Sequence, residues 1–344
     1  MLQLSIVIPA YNAGRWIEHL IQSLAEQQGD YFEDFEVIIT DDGSTDDTAK
    51  VVEKSKKKYI TLQLTLLRQR NLGVSAARNY GIEQAKGRFC WFVDADDMIA
   101  PYAMSNLIPL LRHFNGDVVK MGACVDGCLG KDVLVRMPDD ETNLSVGTHT
   151  DGRKLLEGDS FGHMTFLWRR EVIVKHRLRY PENIQNNEDY LFVIRFLCVC
   201  GRAYINFSLR YYLYRDHDNS LSRGNYKDFR FADHKLRNQM LVFELLCKER
   251  LLITDPQLLL LFDSAFSIRR MSVVNELITT KQPYWCVCYF LSRLKGTEQY
   301  PFKPKEGNPL IRLACQYPWM LMIVSRLFTI PGFVSFGRML YRHK

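Results

Sequence analysis

Along the first hundred residues, short apolar runs alternate with stretches in which apolar residues recur at helical spacing. The runs "LSIVIPA", "FEVIIT", "ITLQLTLLRQ" and "RFCWFV" each give way to polar residues within a few positions. Runs of that length bounded by turn residues predict buried strands. Between them, "GRWIEHLIQSLAEQQ" places Trp16, Leu20, Ile21 and Leu24 on one helical face. "TAKVVEKSKKKY" predicts a second helix, with Ser44 or Thr45 as its cap, and "GVSAARNYGIEQAKG" a third, closed by Gly87. Strands alternating with helices predict an α/β domain: a mostly parallel sheet with helices on both faces.

Ligands of such sheets bind beyond the carboxyl ends of the strands. Polar clusters stand at those ends here: Pro9 to Asn12 after the first strand, Asp41 and Asp42 after the second, Asp94 to Asp97 after the fourth. The pattern therefore predicts one functional rim.

Composition narrows the class. With 344 residues and 47% hydrophobic content, the chain is an ordinary globular protein and not a disordered one. "MLQLSIVIPAYN" has no basic leader and its apolar run breaks at Pro9, so a cytoplasmic protein is expected. Nine cysteines, with Cys198/Cys200 and Cys286/Cys288 closely spaced, read as reduced, buried thiols. These pairs are too close for the usual zinc-ligand spacing, and no His pair accompanies them.

The net charge of +6 is unevenly spread. Residues 225–344 hold 18 Lys and Arg against 9 Asp and Glu, whereas residues 1–224 hold 27 against 30. This divides the chain into a slightly acidic part, 1–224, and a basic C-terminal region, 225–344, which are expected to do different jobs.

The three acids of "DADD" are the sharpest chemical feature. On extended backbone, Asp94 and Asp96 point the same way, and a divalent cation shared with a ligand phosphate offsets their repulsion. Oxygen ligands suit Mg2+ or Mn2+. The plain alternative is a solvated turn followed by the cap of a helix starting near Pro101.

"IVIPAYN", "VIITDDGSTDDT", "GVSAARNYGIEQAKG" and "FVDADD", in this order and spacing, resemble the family 2 inverting glycosyltransferases of the GT-A fold, which transfer sugar from a nucleotide donor. The resemblance is close over residues 3–125 and looser to about residue 220. It implies a Rossmann-like, mostly parallel central sheet flanked by helices, here with a C-terminal helical extension. It implies that Pro9, Ala10 and Tyr11 line the base pocket, with Asp41 accepting from the base and Asp42 beside it. Gly73, Arg78 and Asn79 would lie along the nucleotide and its phosphates. Asp94, Ala95 and Asp96 match the DxD motif, with Asp94 towards the ribose or donor sugar and Asp96 on Mn2+ or Mg2+. Asp97 would be an auxiliary ligand or a helix cap.

An inverting transfer also needs a base for the acceptor hydroxyl. "NIQNNEDYLFVIRFL" places Glu188 and Asp189 at the start of an amphipathic helix, where acids also complement the helix dipole. The pair matches the family's ED motif, with Asp189 as the base. In "YYLYRDHDNSLS", the resemblance places Arg215, His217 and Ser220 towards the donor phosphates or metal. Trp168 either stacks on an acceptor sugar or belongs to the core.

Residues 126–165 are rich in Gly, Asp and Thr, with one strand in "DVLVRM", and read as an insertion at the acceptor face. Beyond residue 225, "HKLRNQMLVFELLCKERLL" and "PQLLLLFDSAFSIRRMSVVNELI" are helical by apolar spacing. From Asn308 onwards there are basic and aromatic residues, no acids, and no apolar run near the roughly 18 residues that a bilayer span needs. An in-plane anchor on an anionic leaflet fits, as does a packing face for the catalytic domain or a second subunit.

Other classes fit less well. A dinucleotide oxidoreductase needs a glycine fingerprint after the first strand, where "PAYNAG" offers only Gly14. A two-metal hydrolase leaves "VIITDDGSTDD" and "AARN" unused. Nucleic-acid binding is disfavoured because the tail's charges are scattered among apolar residues. The expectation is a cytoplasmic or peripheral-membrane, metal-dependent inverting transferase. It would move sugar from a nucleotide-sugar, a UDP-sugar by the single indication of Asp41 with GDP and dTDP donors open, to a saccharide or lipid-linked saccharide in surface-polysaccharide synthesis. A catalytically silent scaffold that binds donor or membrane is the alternative.

Overall fold

The computed structural model describes residues 1–122, 147–158, 162–184, 186–215 and 229–266. The chain packs as two units, Met1–Asp218 and Asn219–Lys344.

The first unit is built on an eight-stranded sheet in the order β3-β2-β1-β4-β8-β6-β9-β7. The strands are β1 (Leu4–Ala10), β2 (Phe35–Asp42), β3 (Leu64–Gln69), β4 (Phe89–Phe92), β6 (Val118–Met121), β7 (Thr148–Asp151), β8 (Phe166–Arg169) and β9 (Arg202–Asn206). A short ribbon pairs β5 (Met98–Ile99) with β10 (Tyr212–Leu213). Every residue of β1 and β2 is buried, as expected of strands covered on both faces.

β1 pairs in parallel with β2 and β4, and β2 with β3. β8 runs antiparallel to both β4 and β6, and β6 pairs in parallel with β9. Strands β1, β2, β3, β4, β6 and β9 therefore point the same way and end on one rim.

Helices α1 (Ile17–Ala25), α2 (Thr48–Lys58), α3 (Val74–Gln84), α4 (Ala103–His113), α5 (Arg170–Lys175) and α6 (Glu188–Val199) flank this sheet. In α1 the buried residues are Ile17, Leu20, Ile21 and Leu24, an i, i+3, i+4, i+7 stripe. Trp16 stands just before the helix and is only half-buried.

Several expectations are corrected. β4 stops at Phe92, and Asp94 to Asp97 form a turn closed by the Asp97 N–H donating to the Asp94 carbonyl at 3.2 Å. Asp94 and Asp96 are thus not side by side on extended backbone. α4 begins after Tyr102, so Asp97 caps no helix. Ser44 and Thr45 do not cap α2, which follows Asp47; they bond Asn12 instead. α3 ends at Gln84, three residues before Gly87. Gly87 is where the chain crosses β1: a Cβ there would lie 2.4 Å from the Ser5 backbone nitrogen. Within the stretch read as a loop, β7 forms an edge strand on β9. "DVLVRM", His217, Ser220, Cys286/Cys288 and the residues from Asn308 onwards lie outside the described residues.

The second unit's described part is α7 (Phe229–Arg250) followed by a helix over residues 256–266. Val242, Phe243, Leu246, Phe262 and Phe266 are buried, and the Phe243 and Phe266 rings stack at 4.8 Å. The Arg250 fork holds Asp263 through bonds of 2.5 and 2.9 Å. Among the described residues no helix is long and apolar enough to cross a membrane.

Candidate active site

The rim collects the predicted polar residues from three strand ends. Pro9 and Ala10 are the last two residues of β1, not part of the loop after it, and are buried, while Tyr11 just beyond is half exposed. Asn12, at φ 50°, ties this loop to the next one: its N–H donates to Ser44 Oγ and its Oδ1 accepts from the Thr45 N–H, both at 2.9 Å.

Asp41 and Asp42 are the last residues of β2 itself, and the two acids have different surroundings. Asp42 Oδ1 accepts from Gln69 Nε2 at 2.7 Å and the Leu72 N–H at 2.8 Å, and its Oδ2 from the Gly73 N–H at 2.8 Å. Its carboxylate is therefore turned into the β3–α3 loop, away from the base pocket expected for it. Asp41 Oδ1 accepts from the Ser44 N–H, while its Oδ2 has only Arg68 Nε beside it, at 3.5 Å. Both acids are buried, and Asp41 Oδ2 is the least heavily bonded of their oxygens. Gly73 opens α3 at φ 94°, a conformation that favours glycine, and an added Cβ would meet nothing within 4 Å.

Arg78 and Asn79 were expected along the phosphates, but both side chains are buried. Asn79 Oδ1 accepts from the Tyr180 N–H at 2.8 Å and Nδ2 donates to the Tyr180 carbonyl at 2.9 Å. It fixes the segment before α6. Arg78 Nη1 donates to Glu188 Oε1 at 2.7 Å and Nη2 to Asp94 Oδ1 at 2.8 Å. The guanidinium also lies 5.2 Å over the Tyr180 ring.

Charge in this cluster follows burial. Arg78 is 5% exposed; burial disfavours its charge, but Asp94 and Glu188 hold it well above its ordinary range. Burial pushes the Glu188 carboxyl up to about 7, with Arg78 opposing and Asp189 adding to the rise. Asp94 keeps 32% of its side chain open, and there the pull of Arg78 outweighs burial and holds the carboxyl below its usual range.

The Asp94–Asp97 turn is fastened from below. Tyr212 Oη donates to Asp97 Oδ2 and accepts from the Asp94 N–H at 3.2 Å. The Arg215 N–H donates to Asp97 Oδ1 at 2.8 Å. Burial, with Asp94 and Asp96 nearby, raises the Asp97 carboxyl to about 8. Asp97 is thus a buried latch on β10 and no auxiliary ligand. Ala95 is buried in the turn and Asp96 half-buried. The Arg215 guanidinium sits 4.8 Å over the Trp16 ring.

At the start of α6, Asn187 takes a left-handed conformation, φ 68°, and Glu188 and Asp189 open the helix. Asp189 is half-buried and accepts from the Tyr190 N–H at 2.7 Å. Trp168 is fully buried, stacked on Phe166 at 4.6 Å and met edge-on by Phe192 and Phe196. It is a core residue and cannot stack on a sugar.

Sequence reasoning missed His163 and Tyr180. His163 is buried in the turn before β8, with Nδ1 3.3 Å from Tyr180 Oη and Nε2 without a partner. A lone His in "SFGHMTF" and a Tyr in "RYPE" carry no pattern that would have flagged them.

Residues 5–178 match the sequence profile of Glycosyl transferase family 2. The chain belongs to this family. Relatives of this glycosyltransferase include the uncharacterized glycosyltransferase YibD of Escherichia coli (strain K12), 30% identical over 243 residues, which are 68% of each protein. Poly(ribitol-phosphate) beta-N-acetylglucosaminyltransferase TarS of Staphylococcus aureus (strain MW2) is 30% identical over 206 residues, 60% of this chain and 33% of TarS. The solved structure of S. aureus TarS in complex with UDP-GlcNAc superposes with a TM-score of 0.62 and 20% identity, covering 95% of this chain and 92% of that one. The mannosyltransferase PcManGT of Pyrobaculum calidifontis, with GDP-Man and Mn2+, gives 0.55 and 16%, covering 94% and 86%. The fold is GT-A, with a C-terminal helical extension. The family match ends before Glu188.

Proposed function

We propose that this glycosyltransferase moves a sugar from a UDP-sugar to a saccharide or lipid-linked saccharide acceptor in surface-polysaccharide synthesis, with inversion at the anomeric carbon. The observation that carries this reading is the convergence of Asp41, Gly73, Asp94 and Asp96 on one sheet rim, with Asp94 joined through one guanidinium to the helix turn that bears Asp189. TarS, whose structures hold UDP and UDP-GlcNAc, supports the choice of base.

Asp41 Oδ2 accepts the N–H of the base, and Tyr11 covers its ring. Glycine at position 73 lets the loop backbone lie close to the nucleotide. Asp94 and Asp96 suit Mg2+ or Mn2+, which take one or two carboxylates together with substrate phosphates and water. Among the described residues no group of three or more His, Cys, Asp or Glu side chains could hold a metal ion by itself, so donor phosphates and water would have to complete the coordination. Asp94 and Asp96 would hold this cation, which would supply positive charge against the departing diphosphate. Asp189 takes the proton from the attacking hydroxyl, and direct displacement converts an α-linked donor into a β-linked product. A lipid-linked acceptor would bring the enzyme to the inner face of the cytoplasmic membrane.

The test is calorimetric titration of wild type and Asp96→Ala with UDP, GDP, dTDP and CMP, each with Mn2+ and with chelator. UDP is expected to bind tightly only when both Mn2+ and Asp96 are present. If folded protein binds none of the four in a metal-dependent way, the donor site is wrongly placed.

A further inference from the structure

We propose that Glu188 is a positioning residue of the donor site, acting through Arg78 on Asp94, and that it is not the base. The inference rests on the donor-site reading above and adds a role for a residue on the opposite, acceptor side.

Three elements meet at one guanidinium. Arg78 comes from α3, Asp94 from the turn after β4, and Glu188 from the first turn of α6. The two bonds, 2.7 Å to Glu188 and 2.8 Å to Asp94, use different terminal nitrogens of the same planar group, so the position of one carboxylate constrains the other. Sideways movement is restricted as well. Arg78 lies over the Tyr180 ring, and that residue's backbone is clamped in both directions by Asn79, next to Arg78 on the helix.

Glu188 has little freedom to serve an acceptor. Its carboxylate is nearly buried, and one oxygen is held by Arg78. Arg78 in turn has a buried Nε with no partner, so taking Glu188 away would leave a second part of the guanidinium unsatisfied. The guanidinium would then rearrange, and Asp94 would lose the fixed donor that orients its Oδ1. The acid one residue before the base thus sets the geometry of the donor turn, and the first turn of α6 is pinned to that turn.

The test compares Mn2+–UDP affinity and turnover in Glu188→Gln and Glu188→Ala, each confirmed as folded by thermal melting. Gln keeps an oxygen that accepts from Arg78 Nη1, so its affinity should stay within about threefold of wild type. Ala removes that acceptor, and its affinity should fall about tenfold or more. A base would behave differently: both variants would lose turnover alike while binding Mn2+–UDP as wild type does. Unchanged affinity in Glu188→Ala overturns the proposal, as does an equal loss in the two variants. Should the Ala variant not fold, Arg78→Lys reads the same link at its centre. Lys keeps the charge but not the fork, and an affinity equal to wild type would overturn the proposal. Failure of the wild type to bind any nucleotide strikes the donor-site reading instead, so the two failures are separable.

Discussion

His163 should make the first unit sensitive to acid in a defined window. Groups facing the imidazole are Arg78 from α3, Asp94 after β4, Tyr180 before α6 and Asp189 on α6. Burial and Arg78 drive its pKa down from 6.5 to about 4, against the opposite pull of Asp94 and Asp189. The folded value is below the unfolded one, so the stabilising contribution is complete above pH 6.5 and is lost as the pH falls towards about 4. Within that window the unfolded chain takes up a proton that the folded one refuses. Each pH unit costs about 1.4 kcal/mol, so the loss across the window is about 3 kcal/mol.

The wild-type curve alone will hide this. Glu188 is raised from 4.5 to about 7 and Asp97 from 3.8 to about 8, and raised carboxyls add stability as the pH falls. The difference between wild type and His163→Gln isolates the imidazole, because Gln does not titrate. Urea unfolding followed by tryptophan fluorescence between pH 7.5 and 4 measures it. The variant should gain about 3 kcal/mol relative to wild type on going from pH 6.5 to 4. A difference independent of pH would refute the argument, because His163 would then titrate alike in the folded and unfolded chains.

Two further predictions concern packing. Trp168→Phe should cost about 1–3 kcal/mol of stability, measured by urea unfolding, and leave the acceptor KM unchanged; a raised KM without loss of stability would return Trp168 to the acceptor site. Gly87→Ala should destabilise by about 1–3 kcal/mol or more, because its Cβ would press on the β1 backbone, 2.4 Å from Ser5 N and 2.5 Å from Leu4 C, and neither atom belongs to a flexible side chain. A variant as stable as wild type in the same assay would count against that close approach.

How much of this was visible in the sequence depended on how locally each feature is specified. Strands β1 and β2 were readable because burial on both faces leaves an uninterrupted apolar run, and α1 because its buried stripe repeats every three or four residues. Strand β7, with its exposed and half-buried Thr, His and Asp residues, has neither signal. It exists because β9 offers it an edge. The acids of the rim were readable as a set, but their individual roles were not. Asp41 and Asp42 are neighbours in sequence, and only the return of residues 69–73 from β3 shows that Asp42 is used up by the loop.

Arg78 makes the same point about charge. Its position in "SAARNYG" suggests a surface residue or a phosphate ligand, because an arginine is almost never buried unless it is paired. The pairing that permits burial comes from Asp94 and from Glu188, a residue 110 positions away. Burying the guanidinium with two carboxylates leaves the group one negative charge in excess. Glu188, the more enclosed acid, is raised, while Asp94, the more open one, stays ionised. That division favours the negative charge on the solvent-facing acid at the rim, where a cation and a diphosphate would be received, over the acid inside. The local spacing of "DADD" and "NNED" shows that acids are present; which of them keeps the charge is decided by how deeply each is buried beside the arginine they share.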